Sequence, residues 1–128
     1  MKVYLCYKNY EDGMDYESMR DSYLEKIVDS EKKAKTWIFS QARLFLEKQI
    51  KQNEEELKGQ LLFDEDGPYY DDLCDDEELR QMVIDDLTFY EQQLHSYTNM
   101  IPDQKKYKVF DVNGYEEWSW TYHEMEVE

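Results

Sequence analysis

Glycine, proline, cysteine and histidine are all scarce in this chain of 128 residues, at 4, 2, 2 and 2 copies. The four glycines, Gly13, Gly59, Gly67 and Gly114, stand apart from one another. A phosphate-binding loop groups several glycines at a helix start so that backbone N–H groups can reach the anion, so that class is set aside. Cys6 and Cys74 lie far apart in sequence, and two such thiols do not make a disulfide framework. A reduced, cytoplasmic setting is the expectation. His95 and His123 have no serine or cysteine tied to them by a motif, and nucleophilic catalysis needs such a pairing. Both histidines and both cysteines are therefore read as packing or surface residues, and the chain as a non-enzyme without a cofactor. No apolar run approaches the ~20 residues that a membrane span requires, and the opening segment Met1–Tyr10 alternates too quickly and is too polar for a signal peptide.

Positive charge is the most telling shortage. Fifteen Lys and Arg face 31 Asp and Glu, for a formal charge of −16. A direct nucleic-acid binder needs a clustered Lys/Arg face for phosphates, and an anionic membrane surface attracts the same residues; neither partner is expected. What is abundant is acid and aromatic surface. Hydrophobic content of 41% with 16% aromatics is too high for a disordered acidic tail, and the length suits one domain, 1–128, that buries about two-thirds of its unfolded surface. The acid is also unevenly placed. Residues 1–63 hold 12 acidic and 11 basic residues, whereas residues 64–128 hold 19 acidic and 4 basic, a split of −1 against −15. Between Asp64 and Glu91 there are 12 acids and the single base Arg80.

The coarse element pattern is ββααββ, an α+β domain with two helices packed on a small antiparallel sheet. Lys2–Tyr7 reads as a strand in which Val3, Leu5 and Tyr7 alternate with Lys2, Tyr4 and Cys6. Tyr10–Met19 reads as a polar loop, and Ser22–Val28 as a second strand of imperfect alternation. Asp29 or Ser30 supplies an N-cap for a long helix. Its apolar stripe is Ala34, Trp37, Ile38, Ala42 and Phe45, widened by Leu44 and Leu46 and continued by Ile50 and Leu57, with Gly59 as its stop. Glu54, Glu55 and Glu56 oppose the dipole near its end, which favours fraying there. Leu61–Asp76 has no helical period. A second helix begins at Asp75 or Asp76, with Asp75 and Glu78 at capping-box spacing; its stripe is Leu79, Val83, Leu87, Tyr90, Leu94 and Tyr97, joined by Met82. Lys105–Val112 and Tyr115–Val127 flank Asn113-Gly114, a strong hairpin signal. A two-residue turn there pairs Val109 with Trp118 and Tyr107 with Trp120 on the face toward the helices.

Three candidate chemistries follow from the acidic half. Asp64, Asp66, Asp71, Asp72, Asp75 and Asp76 are oxygen donors of the kind a hard cation takes, but Gly67 follows Asp64 by three residues, which is not EF-hand spacing. A calcium- or magnesium-binding module or enzyme is thus the weakest reading, and no metal ligand is assigned. Helix positions three or four apart place side chains about 5–6 Å apart. Asp71, Asp72, Asp75, Asp76, Glu77, Glu78, Asp85, Asp86 and Glu91 therefore suit a ridge of carboxylates spaced like nucleic-acid phosphates, with Phe63, Tyr69 and Tyr70 beside it as aromatic anchors. The partner-binding candidates are Asp64, Asp66, Tyr69, Tyr70, Asp71, Asp72, Asp75, Asp76, Glu77, Glu78, Asp85 and Asp86, and the partner they fit is a basic protein surface. The plain alternative is a solvated face that keeps the chain soluble.

Three segments carry a resemblance. They are Met1-Lys2-Val3-Tyr4-Leu5, the stretch Val28-Asp29-Ser30-Glu31-Lys32-Lys33-Ala34-Lys35-Thr36-Trp37-Ile38, and the ending Tyr122-His123-Glu124-Met125-Glu126-Val127. Together they resemble small phage and prophage proteins, in which a short N-terminal strand, a Ser-x-Glu-Lys-Ala-type helix start and a Glu-hydrophobic-Glu terminal strand recur, mostly without assigned function. The similarity covers roughly a third of the chain, and the stretch from Lys48 to Asp103 has no counterpart in it. In size, charge and aromatic content the chain also resembles anti-CRISPR and anti-restriction inhibitors, several of which occupy a host nuclease's nucleic-acid groove as DNA mimics. The resemblance implies a phage-type inhibitor of a host defence nuclease, acting in the host cytoplasm; an immunity protein or antitoxin against a basic nuclease toxin uses the same physics.

Overall fold

The computed structural model of the protein describes residues 1–12, 19–58 and 76–128. Six elements follow in chain order: β1 (Lys2–Asp12), β2 (Met19–Val28), α1 (Glu31–Lys58), α2 (Asp76–Thr98), β3 (Lys106–Phe110) and β4 (Glu116–Glu126). The four strands form one antiparallel sheet in the order β2-β1-β4-β3. The chain is therefore α+β in ββααββ order. Gly59, Leu61–Asp75 and the residues around Gly13 lie outside the described set, and with them the expected helix stop, the Gly67-Pro68 loop and the Asp75 cap. The expected loop Tyr10–Met19 is shorter than its sequence suggests, because Tyr10–Asp12 extend β1 and Met19 opens β2. Those residues stay in the ladder because each finds an antiparallel partner, Tyr10 opposite Asp21 and Asp12 opposite Met19.

Ser30 is the residue that caps α1. Its Oγ accepts the Lys33 N–H at 3.2 Å, satisfying one orphan donor of the first turn, and its carbonyl accepts the Ala34 N–H at 3.1 Å as the first helical bond. Ala34, Ile38, Phe39, Ala42 and Leu46 of α1 are buried, with Trp37, Phe45 and Ile50 packed at their margins. Two stripe assignments change. Leu44 is exposed and Phe39, absent from the expected stripe, is buried in its place. The cause is tertiary: α2 lies along α1 on the Phe39 side, where the Phe39 ring meets Tyr97 at 6.1 Å and Tyr107 at 5.2 Å. In α2 the buried set is Val83, Tyr90 and Tyr97, while Met82 of the expected stripe is 57% exposed. The helix rests mainly on α1 and meets the sheet at β3. There the Gln93 amide bonds both the N–H and the carbonyl of Phe110 at 2.9 Å, and the Tyr97 hydroxyl donates to the Lys108 carbonyl.

The closing hairpin has the register its sequence sets, Tyr107 opposite Trp120 and Val109 opposite Trp118. Its turn differs from the expected two-residue form. Asp111 and Glu116 are the last bonded pair, the Gly114 N–H donates to the Asp111 carbonyl at 3.1 Å, and only Gly114 takes a positive φ, at 75°. A type I′ turn would place Asn113 at positive φ as well. The Asp111 carboxylate accepts the Glu116 N–H at 3.0 Å and closes the longer turn instead.

The expected alternation of β1 holds, and the structure sets which side meets the helices. The residues turned toward α1 are Tyr4 and Cys6, not Val3, Leu5 and Tyr7: Cys6 is fully buried and Tyr4 packs at the core margin. Trp118, Trp120 and Tyr122 of β4 share that side, and Phe45 of α1 lies 4.8 Å from the Trp118 ring and 5.5 Å from the Trp120 ring. Lys8 ends over both the Phe45 and Trp120 rings, its stem covering apolar surface. The imperfect alternation of β2 also has a local cause. The pairing shifts between Cys6/Lys26 and Tyr7/Leu24, leaving Glu25 as a bulge that reverses which residues of β2 face the helices.

Candidate binding surface

The acidic residues of α2 divide into two groups by the face they occupy. Glu77, Glu78, Asp85 and Glu91 are exposed, and they span fifteen residues of helix, about 20 Å at ~1.5 Å per residue. Gln81 donates to Asp85 at 2.9 Å across one turn, which holds that carboxylate upright on the surface. Asp76 opens the helix. Asp64, Asp66, Tyr69, Tyr70, Asp71, Asp72 and Asp75 lie outside the described residues.

Asp86 belongs to the second group. It is half-buried, and its pKa is raised by burial first and then by the negative charges of Asp111 and Asp85. Glu56 near the end of α1 is raised by burial and by Asp86. Glu116 at the start of β4 is raised by burial, Asp111 and Asp12. Tyr90, buried between them, is pushed up to about 12 by its burial and by the charges of Asp86, Asp111 and Glu116. The end of α1, the middle of α2, the hairpin turn and the end of β1 thus converge on one acidic region. Its members Asp12, Glu56, Asp86 and the hairpin pair Asp111 and Glu116 come from four segments far apart in sequence, so no window of the chain displays them together.

Ion pairs among the described residues lie mostly around the strands and the start of α1. They join Lys2 to Glu124, Arg20 to Glu11, Lys33 to Asp29, Lys35 to Glu31 and Lys108 to Glu117, at 2.8–3.3 Å. Asp29 and Glu31 are correspondingly held below the usual carboxylate range, Asp29 by its bond from Lys33 and Glu31 by bonds from Tyr122 and Lys35. An open groove on the N-terminal side of α1 is lined by Lys26, Lys32 and Lys33 around Ile27, Val28 and Trp37. Charge is therefore segregated in space as well as in sequence, with lysines gathered at the start of α1 and acids along α2 and the hairpin turn.

The remaining polar candidates offer little chemistry. His95 is exposed in the last turn of α2. His123 is exposed on β4 with its ring 5.4 Å from Tyr7. Cys6 is buried, with its thiol pushed up by desolvation, and an elevated thiol is a poor nucleophile. Among the described residues no three His, Cys, Asp or Glu side chains are grouped to hold a metal ion, and no helix is long and apolar enough to cross a membrane. The chain matches no protein-family model, no curated protein and no solved structure.

Proposed function

We propose that the protein is a non-catalytic inhibitor that docks its acidic face on the basic, nucleic-acid-binding surface of another protein. The partner class is a host defence nuclease, met in the phage-type setting that the sequence resemblance implies, with the carboxylates standing where DNA phosphates would lie. The observation that carries this reading is the acidic region at the α2–hairpin end, where burial first and then neighbouring carboxylates raise the pKa values of Glu56, Asp86 and Glu116. Concentrating like charge in this way costs folding stability. A cationic partner surface offsets that cost on binding, whereas a need for solubility alone is met by acids spread over the whole surface. Electrostatic steering then gives fast association that slows as salt is added.

The test is displacement of labelled duplex DNA from a panel of CRISPR and restriction nucleases, at low and at high salt. The protein is expected to release DNA from at least one member, with the effect weakening at high salt. Replacing Glu77, Glu78, Asp85 and Glu91 together by Lys is expected to lower the apparent affinity by at least ~100-fold, consistent with several charge contacts of about 1 kcal/mol each. A four-fold variant that displaces DNA as well as the parent, or a panel without any displacement, sinks the reading.

A further inference from the structure

The sheet has two faces, and the helices cover one. Because Tyr4 and Cys6 face α1, Val3, Leu5 and Tyr7 point to the opposite side, and the register carries the pattern across three strands. Leu5 lies opposite Ile27 on one side and His123 on the other, Tyr7 opposite Leu24, and Val3 opposite Met125; such partners share a face. Val3, Leu5, Tyr7, Leu24, Ile27 and Met125 therefore form an apolar patch on that side, its edge at Val3 and Ile27 bordering the groove beside α1, with Leu24, Ile27 and Met125 at 51%, 56% and 49% exposure. An antiparallel sheet with one wet face reads as apolar-in, polar-out; a strand apolar on both sides is the signature of a sheet covered on both sides. Among the described residues nothing covers this one.

The charge on this face points to the occupant. Beyond the apolar patch, Asn9, Ser22, Ser119 and Thr121 bond one another at 2.7–3.4 Å. Glu11 pairs with Arg20 at 3.0 Å and Glu117 with Lys108 at 3.3 Å. Lys106, opposite Thr121, adds one positive charge, and Glu25 sits at the bulge on the margin. On a chain of −16, this is a surface whose charges nearly cancel. A second copy of the chain, repelled by the acidic end, meets little repulsion here. The extent also fits: strands of this length at ~3.3 Å per residue and ~4.8 Å spacing give a face of about 600 Å². Two such faces bury about 1,200 Å², the lower edge of specific, stable interfaces.

We propose that the protein forms a homodimer by packing this sheet face against the same face of a second copy, as a sandwich with the helices outside. The two acidic ends then remain exposed, so the dimer is independent of the docking reading above and its failure is separately visible. The experiment is sedimentation velocity over about a hundredfold range of concentration. The parent chain is expected to rise toward twice its monomer mass, and to do so equally or more strongly at high salt, since the contact is apolar. The variant Leu24→Lys/Ile27→Lys changes only exposed side chains and is expected to remain monomeric, with a far-UV spectrum like the parent's. If that variant unfolds, Ile27→Ser alone is expected to raise the dimer dissociation constant at least tenfold, and Met82→Lys on α2 to leave it unchanged. A parent chain that is monomeric throughout, a dimer that dissociates in salt, or folded Leu24 and Ile27 variants that dimerise like the parent would each overturn the proposal.

Discussion

Asn53 is the residue most at odds with its surroundings. It is only 7% exposed on the buried side of α1, and its Nδ2 has no hydrogen-bond partner among the described residues. A buried amide in that state loses its bonds to water without replacement, at a cost of about 1–3 kcal/mol. Asn53→Leu keeps the branching and the number of side-chain heavy atoms and removes the orphan donor, so urea denaturation is expected to show a gain of about 1 kcal/mol. A loss of stability would mean that the amide is satisfied in solution. The fully buried Ile38, Leu46 and Val109 are the opposite case: each stands where helical or strand periodicity places an apolar side chain, and each meets another at its site.

At the scale of elements, the cap and the bulge decide the course of the chain. Asp29 and Ser30 are equally good caps by composition, but only Ser30 reaches the N–H of the third helical residue, while Asp29 pairs with Lys33. Ser30→Ala is expected to lower stability by about 1 kcal/mol in chemical denaturation, as for other N-caps; an unchanged midpoint would show that the Lys33 N–H finds a substitute acceptor. The Glu25 bulge flips the residues of β2 that precede it in sequence relative to those that follow. Tyr23 thereby shares a side with Lys8, and Leu24 joins Tyr7 on the outer face. Period-two reading alone cannot see this, because one inserted residue exchanges the faces.

The whole molecule responds to pH through its acidic end. Glu56, Asp86 and Glu116 all have pKa values raised in the folded state. Each therefore binds its proton more tightly folded than unfolded, and stability falls as pH rises from the unfolded values near 4 through the folded ones. Asp29 and Glu31 work in the reverse sense: lowered in the fold, they stabilise above their unfolded values and lose that contribution as pH falls through the folded ones. Thermal melts are accordingly expected to peak near the unfolded carboxylate values of about 4, to decline as pH rises through the folded values of Glu56, Asp86 and Glu116, and to fall at lower pH as Asp29 and Glu31 take up protons. Added salt at neutral pH is expected to raise the melting temperature by screening the −16 charge. A melting temperature that is higher at pH 8 than at pH 5 in low salt would contradict the repulsion inferred at this end.

Much was settled by the sequence itself. The α+β class, the order of six elements, the hairpin register around Asn113-Gly114 and the main stripe of α1 follow from local periodicity and turn chemistry, which act between neighbours in the chain. The crowding of acid toward the C-terminal half was equally legible, as was the exposure of Glu77, Glu78 and Asp85. Only the tertiary structure decided which face of β1 meets the helices, because Tyr4 and Cys6 on one side and Val3, Leu5 and Tyr7 on the other are comparably apolar. It also turned Asp86 inward and set it near Glu56, Asp111 and Glu116, and it exchanged Leu44 for Phe39 in the core. Those outcomes depend on which elements meet in space, and contacts between distant segments leave no periodic mark within either one.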